Sequence, residues 1–134
     1  DATAAIGHYE QGLALTPGNG LRWVELGKLR EASGDVDGAI EAYDQGCFLV
    51  DRGKNGCPRA AALYMTNGDY ELAAERYRTS MRQLPGWLPA RRGLANALIA
   101  MDRVDEAMPH LTILAENGDG SAREQLQELR QGER

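Results

Sequence analysis

Residues 22–46 read RWVELGKLREASGDVDGAIEAYDQG, and this stretch decides the fold. At its centre Ser33-Gly34-Asp35 stops one helix and starts another, with Gly34 able to take a positive φ. On either side apolar residues recur at three- and four-residue steps. Leu21, Val24, Leu29 and Ala32 precede the turn; Ala39, Ile40, Tyr43, Cys47 and Val50 follow it. Helices joined by so short a turn lie antiparallel, and residues equidistant from the turn face each other. Gly27 and Ala39 are such a pair, each about six residues from Ser33. Small residues on both sides let the axes approach toward the lower end of the usual ~8–10 Å spacing.

The same pattern returns every 34 residues. Alanine recurs at Ala5, Ala39, Ala73 and Ala107, and tyrosine, scarce here, at Tyr9, Tyr43 and Tyr77, with Leu111 in the fourth place. Gly12, Gly46 and Ser80 follow three residues behind. Gly34-Asp35 returns as Gly68-Asp69, and Pro17 has counterparts at Asp51, Pro85 and Asp119. Ala61 with Ala73, and Ala95 with Ala107, repeat the small facing pair. Several residue types sharing one period mean one supersecondary unit copied and stacked. The tyrosines, one helical turn after each alanine, should fill the groove toward the next copy. Met101-Asp102-Arg103 carries no glycine, so that turn should be the least comfortable of the three, though Asp tolerates the left-handed region.

This pattern resembles the tetratricopeptide repeat, W-x2-L-G-x2-Y, then A-x3-F, then P. Trp23-Val24-Glu25-Leu26-Gly27 matches its opening, with Arg30 where an aromatic is preferred, and Ala39 and Tyr43 match its second helix. Tyr64, Ala73, Tyr77 and Pro85 match the next copy; Leu94, Ala95, Leu98, Ala107 and Leu111 match a looser third. The resemblance implies an all-α, right-handed α-solenoid of antiparallel helix pairs, a single array of about 3.5 repeats plus a C-terminal capping helix. Its expected parts are a half repeat at 1–19 (second helix only), repeats at 20–53, 54–87 and 88–120, and a capping helix and tail at 121–134. The chain opens where a second helix should begin, so Ile6 and Tyr9 should lack part of their cover, as in a piece of a longer array. Ser121-Ala122-Arg123-Glu124 reads as a capping box opening the last, polar helix, and Pro109 falls in the first turns of the helix before it.

Composition excludes several functions. The 134 residues carry a net charge of −5, against the basic surface that nucleic acid needs. No apolar run approaches the ~18 residues of a membrane span, so no membrane insertion is expected. No catalytic constellation, phosphate loop or metal set is apparent, and no cofactor is implied. The glycines of GNG (18–20) and GKNG (53–56) read as turns between repeats. His8 and His110 share a helix face three repeats apart, too far to share a metal, and read as surface residues; Trp87 reads as packing over a helix end.

Cys47 and Cys57 are equidistant from Arg52 and should face one another, where the neighbouring repeats place Leu13 with Trp23 and Met81 with Arg91. Two small thiols replace large residues there, which favours a disulfide over two buried free thiols. A disulfide would imply an oxidising, extracytoplasmic location such as a bacterial periplasm; free thiols would leave the chain cytoplasmic.

The first helix of each repeat should line the concave face. Helical phase points Leu21, Val24, Lys28 and Glu31 inward, then Pro58, Arg59, Ala62 and Met65, then Arg92, Asn96 and Ile99. Such a face suits a peptide or partner helix with acidic character, in a non-catalytic scaffold for protein–protein interaction, with bacterial pilus, secretion or envelope assembly as its setting. Some members of the resembled family clamp acidic chaperone tails with Lys, Asn and Arg. Those positions fall here on Val24, Lys28, Arg59, Pro89 and Gly93, which do not match. The alternative function is a regulatory or substrate-recruiting region of a larger enzyme such as a glycosyltransferase, and self-association through the first half repeat is a third reading.

Overall fold

The structure, a computed structural model, describes residues 1–49 and 55–132. Val50 and the midpoint residue Arg52 lie outside the described residues. Among the described residues there are eight α-helices and no strand: α1 (Ala2–Leu15), α2 (Gly20–Ala32), α3 (Val36–Phe48), α4 (Gly56–Asn67), α5 (Tyr70–Gln83), α6 (Leu88–Ala100), α7 (Val104–Glu116) and α8 (Gly120–Gly132).

Short polar residues start several of these helices by capturing orphan amides. The Asp1 carboxylate accepts from Thr3 N–H (2.7 Å), Asn19 from Arg22 N–H (3.2 Å) and Asp35 from Gly38 N–H (2.9 Å). The last helix departs from expectation. Asp119 caps it, accepting from Ala122 N–H at 3.0 Å, and Ser121 lies inside the helix. A carboxylate one residue upstream of Gly120 reaches the same free amides and adds a negative charge at the positive end of the helix dipole.

Four helix ends close with one geometry. The amide of Asp35 reaches back to Arg30 C=O, Asp69 to Tyr64, Arg103 to Leu98 and Asp119 to Leu114, at 2.8–3.0 Å. Each closure needs a left-handed residue just before it. Gly34 (φ 87°), Gly68 (φ 82°) and Gly118 (φ 91°) supply it, and Asp102 does so at φ 59°. Pro109 lies in the first turns of α7, as expected, but inside the helix, where its missing N–H leaves the Asp105 carbonyl without its usual donor.

Each helix packs against the next, and the first helices also meet one another, α2 with α4 and α4 with α6. The phase-equivalent alanines Ala39, Ala73 and Ala107 are all 0% exposed. Their tyrosine neighbours explain the small residues opposite. A Cβ on Gly27 would lie 2.5 Å from the ring of Tyr43, and one on Gly93 would lie 2.2 Å from the ring of Tyr77. The rings occupy the space that the glycines leave, against their own repeat at Tyr43 and across to the next at Tyr77. The core is therefore a row of overlapping clusters: Leu13, Leu26 and Ala42; then Val24, Ala39, Tyr43 and Ala60; then Ala73, Leu94, Leu98 and Ala107; then Ala95, Leu111, Leu114, Ala122 and Leu126. Ile6 and Tyr9 of α1 are only half-buried, whereas Ile40 and Tyr43, their equivalents in α3, are buried.

Replacing Asp102 by glycine removes the left-handed penalty at the one such turn that lacks it. The Asp102→Gly protein should be more stable by about 0.5 kcal/mol, the relief exceeding the added entropy of the unfolded chain. Thermal unfolding followed by circular dichroism should show a midpoint higher by a few degrees.

Candidate functional site

The first helices converge on a shallow groove of about 330 Å³ lined by Lys28, Glu31, Ala32, Tyr43 and Arg59. Tyr43 forms its floor. Its hydroxyl donates to Glu31 Oε1 at 2.7 Å, and the guanidinium of Arg59 stands over its ring, 6.0 Å from the centroid. Burial, and then the hydrogen bond to Glu31, push the Tyr43 phenol up to about 12. Lys28 pairs with Glu25 at 3.0 Å on the same helix, an exposed pair of little energetic weight. Among the described residues no carboxylate pairs with Arg59. The groove therefore presents an exposed cation held over an aromatic face beside a second, loosely held cation.

The expected inward residues divide into three groups. Leu21, Glu31, Arg59, Ala62 and Asn96 are exposed, and Lys28 and Pro58 are half-buried. Val24 is 1% exposed and packs with Ala39, Tyr43 and Ala60, so it belongs to the core and cannot contact a partner. Met65 and Ile99 pack against core clusters, Ile99 against two of them. Residues of the neighbouring helices, from both the same and the adjoining repeat, cover these side chains. Arg92 is withdrawn from the face for another reason: it donates to Asp119 and Gln125, binding α6 to the capping helix. The Arg92 guanidinium and then the Ala122 amide hold the Asp119 carboxyl below the usual carboxylate range. Of the five clamp-equivalent positions, Val24 and Gly93 are buried.

The cysteines are joined at the junction of α3 and α4, with an S–S distance of 2.01 Å and both residues 0% exposed. Gly56 explains the approach, since a Cβ there would meet Tyr43 O at 2.4 Å and Cys47 N at 2.6 Å. Gln83 Nε2 donates to Cys47 O at 2.8 Å, fastening the end of α5 to the same junction.

A second network ties α3, α4 and α5. Asp44 accepts from the Tyr64 hydroxyl at 2.6 Å and from Arg76 Nε at 2.7 Å, and Arg76 lies over the rings of Tyr64 and the exposed Phe48. One repeat earlier, Glu10 stands in the place of Asp44 and Arg30 in that of Tyr64, and Arg30 reaches Glu10 at 3.3 Å. Arg30 thus makes the bond of the aromatic residue it replaces. His110, expected at the surface, is half-buried, with Nδ1 2.9 Å from Arg91 Nη1. Trp87, expected to pack over a helix end, is 40% exposed.

Among the described residues no group of three or more His, Cys, Asp or Glu side chains could hold a metal, and no helix is long and apolar enough to cross a membrane. The tetratricopeptide repeat family model matches residues 64–131. The chain belongs to the tetratricopeptide repeat family. No curated protein matches it in sequence. Among solved structures, this repeat array is similar to MamA (19% identity, TM-score 0.74), over 91% of this chain and 67% of that one. It resembles the first such domain of Spaghetti (RPAP3) bound to the HSP90 peptide SRMEEVD (19% identity, TM-score 0.69), over 85% of this chain and 94% of that one. It also resembles YrrB, a tetratricopeptide repeat protein with an unusual peptide-binding site (17% identity, TM-score 0.71), over 88% of this chain and 62% of that one. At these identities the likeness establishes the all-α solenoid.

Two measurements follow from this geometry. Like Tyr43, Tyr64 is pushed up to about 12, by burial first and then by its bond to Asp44. Both phenols should ionise later than ordinary tyrosines when absorbance at 295 nm is followed with rising pH. Because the folded values are raised, this stability is complete below the unfolded value near pH 10 and is lost as pH climbs through about 12. The disulfide closes a short loop, and its reduction should cost about 3 kcal/mol on the chain-entropy model. Urea unfolding with and without a strong dithiol should show that difference, and an equal midpoint in both would contradict it.

Proposed function

We propose that the chain is a protein-interaction scaffold that holds an extended peptide or a partner helix of acidic character in the groove between α2 and α4. The observation that carries this reading is Arg59, exposed on the inner helices, stacked over Tyr43 and without a carboxylate partner among the described residues. A guanidinium fixed by an aromatic face loses less side-chain freedom when it pairs with a ligand carboxylate. Ala62 and Asn96 extend the surface with a small apolar contact and an amide able to bond a peptide backbone. Two similar folds, RPAP3 with its bound HSP90 peptide and YrrB with its peptide-binding site, support peptide binding as the mode of use.

The buried disulfide supports an oxidising compartment for this scaffold, and a bacterial periplasm with a role in envelope assembly fits both features.

Fluorescence anisotropy against a panel of labelled seven-residue peptides, matched in length and differing in charge, tests the reading. Acidic members should bind better than basic ones, and Arg59→Glu should weaken them at least ~10-fold, about 1.4 kcal/mol. Equal binding of acidic and basic peptides, or an unchanged affinity in Arg59→Glu, would overturn it.

A further inference from the structure

The outer side of the array carries grooves in which each repeat uses the same positions for different charges. In the first, between α1 and α3 with α2 as its floor, a cavity of about 230 Å³ is lined by Glu10, Trp23, Arg30 and Glu41 among others. Arg30 bridges it, donating to Glu10 Oε1 and to Gly38 O. One repeat on, Asp44 holds the place of Glu10 and is bound by Tyr64 and Arg76. In both repeats the protein supplies its own carboxylate and its own donors.

Two 34-residue steps from the first groove the charges invert. Glu10 becomes Arg78, Ala14 becomes Arg82, Trp23 becomes Arg91, Arg30 becomes Leu98 and Glu41 becomes Pro109. Both carboxylates and their internal cation are gone, and three guanidinium groups stand at these positions in a chain of net charge −5. Arg78, Arg91 and His110 come from α5, α6 and α7, and all three are half-buried, unlike freely solvated surface cations. Arg91 Nη1 lies 2.9 Å from His110 Nδ1. A guanidinium only donates, so Nδ1 accepts and the neutral imidazole carries its proton on Nε2, a further donor. Burial, and then the charges of Arg91 and Arg78, lower the His110 pKa. Among the described residues no carboxylate pairs with Arg78, Arg82 or Arg91.

We propose that Arg78, Arg91 and His110, at and beside the positions that line the first groove two repeats earlier, bind an oxyanion, the carboxylate or phosphate group of a ligand, supplying from outside the acid that the two preceding repeats carry themselves. Its donors, with the one accepting nitrogen already taken by Arg91, suit a group that only accepts, and guanidinium forks match carboxylate and phosphate oxygens alike. The site lies on the opposite side of the array from the Arg59 groove, and either can exist without the other.

NMR of the imidazole protons tests it, with His8 as the internal reference. Inorganic phosphate and triglutamate are each titrated against sodium chloride of equal ionic strength. A saturable shift of His110, absent from His8 and from the chloride series, is expected with at least one probe, and which probe gives it identifies the source of the oxyanion. Arg78→Gln should weaken that binding at least five-fold with an unchanged melting temperature, and Arg78→Lys should restore part of it. The proposal is overturned if His110 follows ionic strength alone with both probes, or if Arg78→Gln binds as the parent protein does.

Discussion

The structure rests on how closely two helices of a pair can approach. Where Gly27 meets Tyr43, the absent side chain is the space in which the ring sits. Any Cβ there would push α2 from α3, and the shift would pass to α4 through Ala60, which packs in the same cluster. A solenoid has no distant contacts to absorb such an error, because each repeat touches only its neighbours. The 34-residue period is thus a steric requirement renewed at every pair: small residues facing across the turn, then a large apolar side chain one helical turn along, a ring at Tyr43 and Tyr77 and a leucine at Leu111.

The junction between the first two full repeats shows the same requirement met differently. The neighbouring positions include the buried Leu13 and the partly buried Trp23, which share one cluster. Cys47 and Cys57 replace that bulk with a covalent link, and Gly56 lets the two backbones touch. The link lies one helical turn from Tyr43 and two residues from Arg59, so it holds together the two elements that form the inner groove. Packing and the candidate site therefore depend on one junction, and fixing the helices at the sulfurs also fixes the cation over its aromatic face.

Much of this was legible in the sequence because it is periodic. The helix pairs, the turns including Asp102, the family and the facing cysteines all follow from phase around a helix and distance from a turn. The same logic failed where a second neighbour decides the outcome. Val24 has the phase of an inward residue, but α2 meets α4 on that side and buries it. Arg92 has that phase too, and Asp119, 27 residues away, captures it. The pairing of Arg30 with Glu10 could have been found from the repeat, since Glu10 aligns with Asp44 and Arg30 with Tyr64. The signal lies in the charges at equivalent positions of successive copies, which vary where the shapes do not.

That comparison has a physical basis. Stacked copies are under common pressure at positions that set helix spacing, and the alanines and turn residues hardly vary. Positions on the rims of the grooves carry no such load, so their chemistry can change without moving the backbone. At the Glu10 position the chain runs from acid to acid to cation, while Ala39, Ala73 and Ala107 stay alanine and stay fully buried. A charge altered merely by drift should find a counter-ion or open water. Arg91 and His110 instead remain half-buried against one another, Arg78 is half-buried too, and no carboxylate among the described residues pairs with either arginine. Like charges gathered at partial burial raise the free energy of the isolated protein, and an anion arriving from outside lowers it most where that cost is greatest.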